Sequence, residues 1–397
     1  MQALDRTQII SEVRAVLPEA IRLRRIIHEN PEPGNREYKT SELIINTLEK
    51  LGFEITRPAG TSVCALLRGG KPGKTVAFRA DMDALPIQEE TGLPYSSKIN
   101  GMMHACGHDM HMSGLLGAAM VLSRLRDSLP GNVKLFFQPD EEGYGGAKRM
   151  IEGGCMENPG VDAVFGAHIS PKYPTGAIVF KYGTFYAAAD IFRIIIKGKG
   201  CHGATPQEGI DPIAVGSQIV CAVQQVISRR ISPLESAVIT FGCFHSGTAR
   251  NIIPDEAILD GVIRCLGNDA RESTLKAFKE IVEGVAAAFG AKAIIEIPES
   301  YPGITNDNAM TEFAKNAVTS ILGTECIRIA DMPTMVTEDF GHFLNAAPGS
   351  FYEIGVAAPG YPYFPLHNAH LAPDESALEN LIAAHCACAI AFLNENQ

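Results

Sequence analysis

The sequence predicts an α/β protein whose large domain is interrupted by a smaller α+β insert. Short β-branched apolar runs alternate with longer helical periods at both ends of the chain, as in a mixed, mainly parallel sheet flanked by helices. Between about residues 186 and 299 the pattern changes to a compact set of four strands and two helices. Four acidic or imidazole-bearing segments fall where strands of the first kind should stop, and ligands in α/β sheets gather at the carboxyl ends of strands.

Residues 7–28 carry an apolar helical period with an arginine-rich face, and a short helix over 41–51 is stopped by Gly52. Residues 63–67 and 75–80 read as strands. Residues 107–125 read as a helix with Gly114, Gly117, Ala118 and Ala119 on its packing face. A buried strand over 132–137, a helix over 145–152 and a strand over 163–167 follow. The insert holds strands over 190–197, 237–245, 256–265 and 292–297, with helices over 212–231 and 270–289. From about Asp307 the alternation resumes and ends in a helix over 374–394. The chain therefore divides into a first domain, 1–185 plus 300–397, and an inserted one, 186–299. No internal repeat or low-complexity tract interrupts it.

Hydrophobic content of 46% and charged content of 20% in 397 residues are those of an ordinary globular chain with a sizeable core. A net charge of −11 argues against nucleic acid or an anionic membrane as partner. The N-terminus lacks the apolar core of a secretory signal. The longest apolar stretch, such as 115–122, is broken by small residues, so no membrane-spanning helix is expected. Ten cysteines without a Cys-x-x-Cys pair suggest reduced thiols in the cytoplasm, with Cys386 and Cys388 as packing residues of the last helix.

Residues 104–111 read His-Ala-Cys-Gly-His-Asp-Met-His. Chance would place about 0.2 histidines in such a window, whereas it holds three. Cys106 and His108 are two apart and can reach one ion from a tight turn; thiolate with imidazole suits zinc and its first-row neighbours. The segments at strand ends are Arg79-Ala-Asp81-Met-Asp83, Gln138-Pro-Asp140-Glu141-Glu142-Gly143 and Gly166-Ala-His168, with Leu366-His367-Asn368 before the last helix. Each alone is weak, since acidic triples are commonly solvated loops and single histidines commonly structural. Together with the Cys106 cluster they point to a metal site. Adjacent glutamates suit divided labour: one binds metal while the other takes a proton from an activated water. No Gly-x-Ser-x-Gly elbow or phosphate-binding loop supports serine-hydrolase or nucleotide chemistry.

Arg-Ala-Asp-Met-Asp-Ala-Leu-Pro (79–86), the 104–111 cluster, Gln-Pro-Asp-Glu-Glu (138–142) and Leu-His-Asn (366–368) resemble, in order, the amidohydrolase branch of the aminoacylase/carboxypeptidase metallopeptidase family. That branch includes hippurate hydrolases, N-acyl-amino-acid deacetylases and hydrolases of indole-acetyl amino acids. The resemblance covers nearly the whole chain. It implies a site for two divalent ions, zinc first and manganese, cobalt or nickel as alternatives, with Cys106, His108, Glu142, His168 and His367 as ligands. Cys106 or a carboxylate would bridge the ions. Glu141 would be the general base and acid, and Asp81 a carboxylate that orients a ligand. More distant relatives have a metal-binding histidine at the position of Arg79, and arginine, always protonated, cannot replace it. His111 is left open between supporting a ligand and packing, and His104 reads as structural.

The resemblance further implies that the insert is a lid of dimerisation type and the protein a homo-oligomer, dimer or tetramer. Gly200-Cys-His-Gly-Ala-Thr-Pro206 resembles the family's lid segment, where His202 would donate to the developing oxyanion, in dimers often across the interface. Gln207 stands where many members of the branch have histidine. Asn251 and Arg264, thirteen apart, resemble a clamp on the substrate carboxylate. The expected activity is hydrolysis of the amide bond of N-acyl amino acids. A dipeptidase or carboxypeptidase with the same site is the alternative, and a binding protein that has lost catalysis a remote one. Tyr361-Pro-Tyr-Phe-Pro and Phe185-Tyr186 stand open between lining an acyl pocket and packing.

Overall fold

The computed structural model of the protein describes residues 6–143, 145–298 and 300–395. The expectation of no secretory leader falls partly on residues 1–5, which lie outside the described ones. The chain divides into two compact units. The larger comprises Met1–Gly183, Asn306–Met332 and Asp339–Gln397, and the smaller Thr184–Thr305 and Pro333–Glu338.

The larger unit is built on an eight-stranded mixed sheet. Its order is Glu54–Thr56, Val63–Arg68, Pro130–Gln138, Lys71–Asp81, Ala163–Pro174, Gly349–Ala357, Ile178–Phe180, Ile327–Ile329. The four central strands, from Pro130–Gln138 to Gly349–Ala357, are mutually parallel, and antiparallel pairs flank them on both sides. Strands buried on both faces need continuous apolar runs, and the first eight residues of Ala163–Pro174 and of Gly349–Ala357 are all buried. His168 does not close its strand as expected. The strand runs on to Pro174, because pairing with Gly349–Ala357 continues beyond the Glu353–His168 register.

Helices Arg6–Glu29, His108–Leu125, Asn308–Leu322 and Ala377–Glu395 supply the apolar side chains of one core with Phe78 and Phe165 of the sheet. Gly114 and Gly117 let two of them approach closely: a Cβ at either position would collide with Leu381 or Ile382 of the last helix. Ala377–Glu395 corrects one expectation. By length and composition it could cross a membrane, yet 78% of its most apolar window is buried in the unit. It is apolar all round because it packs on all sides, Cys386 and Cys388 included.

The smaller unit has an antiparallel sheet ordered Ala237–Ser246, Glu256–Cys265, Ala188–Lys197, Lys292–Glu296, with the short Ser300–Tyr301 also pairing with Ala188–Lys197. Helices Pro212–Gln225 and Asn268–Ala288 pack on one face around Phe192, Ile194, Leu259 and Phe278, a second separate core. Asp211 caps the first of them, accepting the amide of Ile213 at 2.9 Å. All ten cysteines are free thiols.

Candidate metal and catalytic site

Five ligand-type side chains of the larger unit converge in two triads that share Cys106. Cys106, His108 and His168 form one, and Cys106, Glu142 and His367 the other; within each, the donor atoms lie within 4.8 Å of one another. The turn that starts this arrangement needs Gly107, whose φ of 86° puts Cys106 and His108 on either side of a left-handed residue at the start of helix His108–Leu125. His367 is also left-handed (φ 63°), and its amide donates to Ala105 O at 2.8 Å, tying the distant loop to the cysteine turn.

The hydrogen bonds fix which nitrogens are available. His168 Nδ1 donates to Ile169 O at 2.7 Å, so its Nε2 keeps a lone pair, and that atom is 3.3 Å from Cys106 Sγ. Burial, with His111 nearby, pushes His168 down to about 3, so its imidazole is neutral. His111 resolves differently. The amide of Ile169 donates to its Nε2 at 2.9 Å and its Nδ1 donates to Asp81 Oδ1 at 2.6 Å. Both nitrogens are used, so His111 is a brace between Asp81 and the strand of His168. His104 is fully buried with neither nitrogen bonded. Burial, with the charges of His28 and His108, pushes it down to about 4.

The donor set fits divalent cations. Both ring nitrogens of His108 are buried without a hydrogen bond: Nδ1 stands 3.4 Å from Asp83 Oδ1 and Nε2 3.6 Å from Asp81 Oδ2. Burial opposes its charge, but Asp81, Asp83 and Glu142 outweigh it and push His108 up to about 10, so the locus draws positive charge. His367 Nε2 approaches Glu142 Oε1 to 2.8 Å without the alignment of a hydrogen bond, as two lone pairs aimed at a common point would. Burial and the carboxylates of Glu142, Glu141 and Asp81 hold the Cys106 thiol well above its ordinary value. A cation reverses that balance, because a coordinating thiol is deprotonated outright.

Glu141 is buried, with Oε2 4.0 Å from His108 Nε2. Its loop is held by a residue to which the sequence assigned no role. Asp83 accepts the amides of Glu141 and Glu142 at 3.1 and 3.0 Å, one on each oxygen. The Asp-x-Asp spacing at 81 and 83 signals it, since alternate residues of an extended segment share a face. Arg79, also buried, donates to Asp81 at 2.8 Å, Asp339 at 2.9 Å and Gln138 at 2.8 Å. Its guanidinium is thereby committed to ion pairs with two carboxylates. Asp339 had no signal in the sequence.

His202, Asn251 and Arg264 lie in the smaller unit. Cys201–His202 pairs with Ile252–Ile253, and Gly203 N donates to Asn251 O at 2.9 Å, so His202 and Asn251 share one local ladder. His202 is exposed, and its Nδ1 accepts the amide of Ala204 at 3.0 Å. Arg264 is half-buried within strand Glu256–Cys265 and donates to Met335 O at 2.7 Å. Phe185 and Tyr186 are buried against each other, which makes them packing residues. Tyr361, Pro362, Tyr363 and Phe364 line a small cavity with Pro171 and Leu371 in the larger unit.

A sequence profile described as peptidase family M20/M25/M40 matches residues 77–391, a span that holds every candidate ligand. The chain belongs to this family. Within the family it is 42% identical to thermostable carboxypeptidase 1 of Saccharolobus solfataricus over 97% of this chain and 98% of that one. It is 40% identical to N-acetyl-L-cysteine deacetylase of Bacillus subtilis over 85% and 80%. Among solved structures it resembles the Bacillus subtilis YXEP protein, described as a dinuclear metal-binding peptidase of family M20. The TM-score is 0.81 and the identity 34%, over 96% of this chain and 99% of that one. The M20 protein is thus a metal-dependent hydrolase of amide bonds.

Proposed function

We propose that the protein hydrolyses the amide bond of N-acyl amino acids, with Glu141 as general base and then acid. The observation that carries this is the pair of triads sharing Cys106 with Glu141 at their edge. Cys106, His108, Glu142, His168 and His367 would hold two divalent ions, zinc first, which when bound polarise the scissile carbonyl and acidify the attacking water. Glu141 takes the water's proton as its oxygen bonds to the carbonyl carbon. It then delivers that proton to the leaving nitrogen as the C–N bond breaks, giving a carboxylic acid and an amino acid. Asp81 and Asp83 keep His108 and the two glutamates in register. His202 would donate to the developing oxyanion, and Asn251 and Arg264 would bind the substrate carboxylate, from a lid that also forms a homodimer. The free thiols suit a reducing compartment such as the cytoplasm.

Carboxypeptidase action on peptides is the second reading, favoured by the 42% identity to a protein of that name. One panel decides. Metal-stripped protein is reconstituted with zinc, manganese or cobalt and assayed on N-acetyl and N-benzoyl amino acids beside dipeptides. N-acyl amino acids are expected to turn over fastest, and Glu141→Gln to lose about 10²–10⁴-fold in kcat. Activity that survives chelation, or the Glu141→Gln change, would sink the reading; preference for dipeptides would favour the second.

A further inference from the structure

The segment between the first two helices lies upstream of the residues that the M20 profile matches. It nonetheless supports the Glu141-Glu142 loop. Glu32 O accepts the amide of Ala84 at 2.9 Å and Pro33 bridges Ala84, so residues 32–33 run beside the segment that carries Asp83. The chain then turns at Asn35, which is left-handed (φ 61°). Asn35 Nδ2 donates to Asp140 Oδ2 at 2.6 Å, and Arg149 Nη2 donates to the same oxygen at 2.8 Å. Arg149 Nη1 donates in turn to Asn35 Oδ1 at 2.7 Å.

Asp140 faces Asn35 and is itself left-handed (φ 59°). A non-glycine residue stays in that region only when its surroundings hold it there. Glu37 completes the hold. It is fully buried, and its Oε1 accepts the amides of Asn35 and Asp140, both at 3.0 Å. Its Oε2 accepts Thr61 Oγ1 at 2.5 Å. Three successive amides, 140 to 142, therefore end on two buried carboxylates, the first on Glu37 and the next two on Asp83.

We propose that Glu37 is a positioning residue for the general base: it fixes the left-handed turn at Asp140 and so aims Glu141 at the reacting water. The inference rests on the amidohydrolase reading above. Proton transfer tolerates only small misplacement of the base, so a loosened turn lowers kcat before it touches substrate affinity. Glu37→Gln keeps an acceptor for both amides and offers its NH2 to Thr61 Oγ1. Glu37→Ala removes the acceptor.

The test is steady-state kinetics of the metal-loaded protein on the N-acyl amino acid turned over fastest in the panel, with metal content and thermal midpoint measured on each preparation. Glu37→Ala is expected to lower kcat at least about tenfold with little change in KM and full metal content, and Glu37→Gln to recover kcat to within about threefold of the native enzyme. Asn35→Ala, at an exposed position, is expected to lower kcat at least about threefold, and it decides the matter if Glu37→Ala does not fold. Native kcat in Glu37→Ala, or in Asn35→Ala where only that variant folds, overturns the proposal. So does a Glu37→Gln as impaired as Glu37→Ala, or a loss that follows metal content. Glu141→Gln is run alongside: if it stays active the amidohydrolase reading fails, and if it is dead while Glu37→Ala keeps kcat only this inference fails.

Discussion

Arg79 shows how one buried side chain can organise a site without binding its ligand. It is 1% exposed and reaches two carboxylates, Asp81 and Asp339, with Gln138 bridging back to Asp339 at 2.8 Å. Asp339 also accepts the amide of Ala147 at 3.0 Å, which ties the network to the helix after the Glu141 loop. Removing one partner of a buried ion pair leaves uncompensated charge and costs about 3–5 kcal/mol. Arg79→Ala is therefore expected to lower the thermal midpoint clearly and to weaken metal retention, because Asp81 loses its anchor beside His108. Arg79→Lys should rescue little, since an ammonium cannot hold three partners in a planar fork. Thermal unfolding with metal analysis checks both, and a native midpoint in Arg79→Ala would show that the network does not stabilise the fold. The Arg79–Asp81 half is local, as alternate residues of a strand share a face, although the sequence reading did not pair them. The Asp339 half spans 260 residues and left no local mark.

At the scale of elements, helix Arg6–Glu29 is more than an amphipathic cover. On its arginine-rich face Arg22 and Arg25 are exposed, but Arg24 is fully buried and donates to Asp109 at 2.9 Å. His28 joins the same carboxylate at 2.9 Å and faces Glu89 at 3.3 Å. Burial opposes the charge on His28, but Asp109 and Glu89 outweigh it and hold it up to about 9, above the ordinary 6.5. Burial likewise opposes the charge on Glu89, yet His28, Thr91 and the Ser97 amide bring it down to about 2. A raised histidine stabilises fully below its unfolded value and loses that contribution as pH rises through the folded one. A lowered glutamate stabilises above its unfolded value and loses that contribution as pH falls through the folded one. Thermal midpoints are thus expected to decline from pH 6.5 toward 9, and His28→Gln to flatten that alkaline limb. An unchanged alkaline slope in His28→Gln would remove His28 as its cause.

At the scale of the molecule, the two units have separate cores, and all five candidate ligands belong to the larger. Ions that bind only the folded state stabilise it by about 4 kcal/mol at a thousandfold excess over Kd. Removing them should therefore act locally. Hydrogen exchange on chelated protein is expected to quicken at residues 104–111, 138–143 and 366–368, while strands Ala188–Lys197 and Glu256–Cys265 keep their protection. Uniform loss across both units, or no change at the ligand segments, would contradict this.

The mixed α/β class and the M20 family were both legible along the chain. These are written in short-range signals: periodicity, turn residues and motifs a few positions long. Tertiary structure decided the rest. It made the last helix a core element, carried the His168 strand on to Pro174, and used up both nitrogens of His111. It also placed Glu37, Asp83 and Asp339 as supports. The reason is physical: a hydrogen bond or ion pair is made by groups that meet in space. Here the meeting segments lie far apart in the chain, 58 residues for Asp83 with Glu141 and 260 for Arg79 with Asp339, so neither partner announces the other.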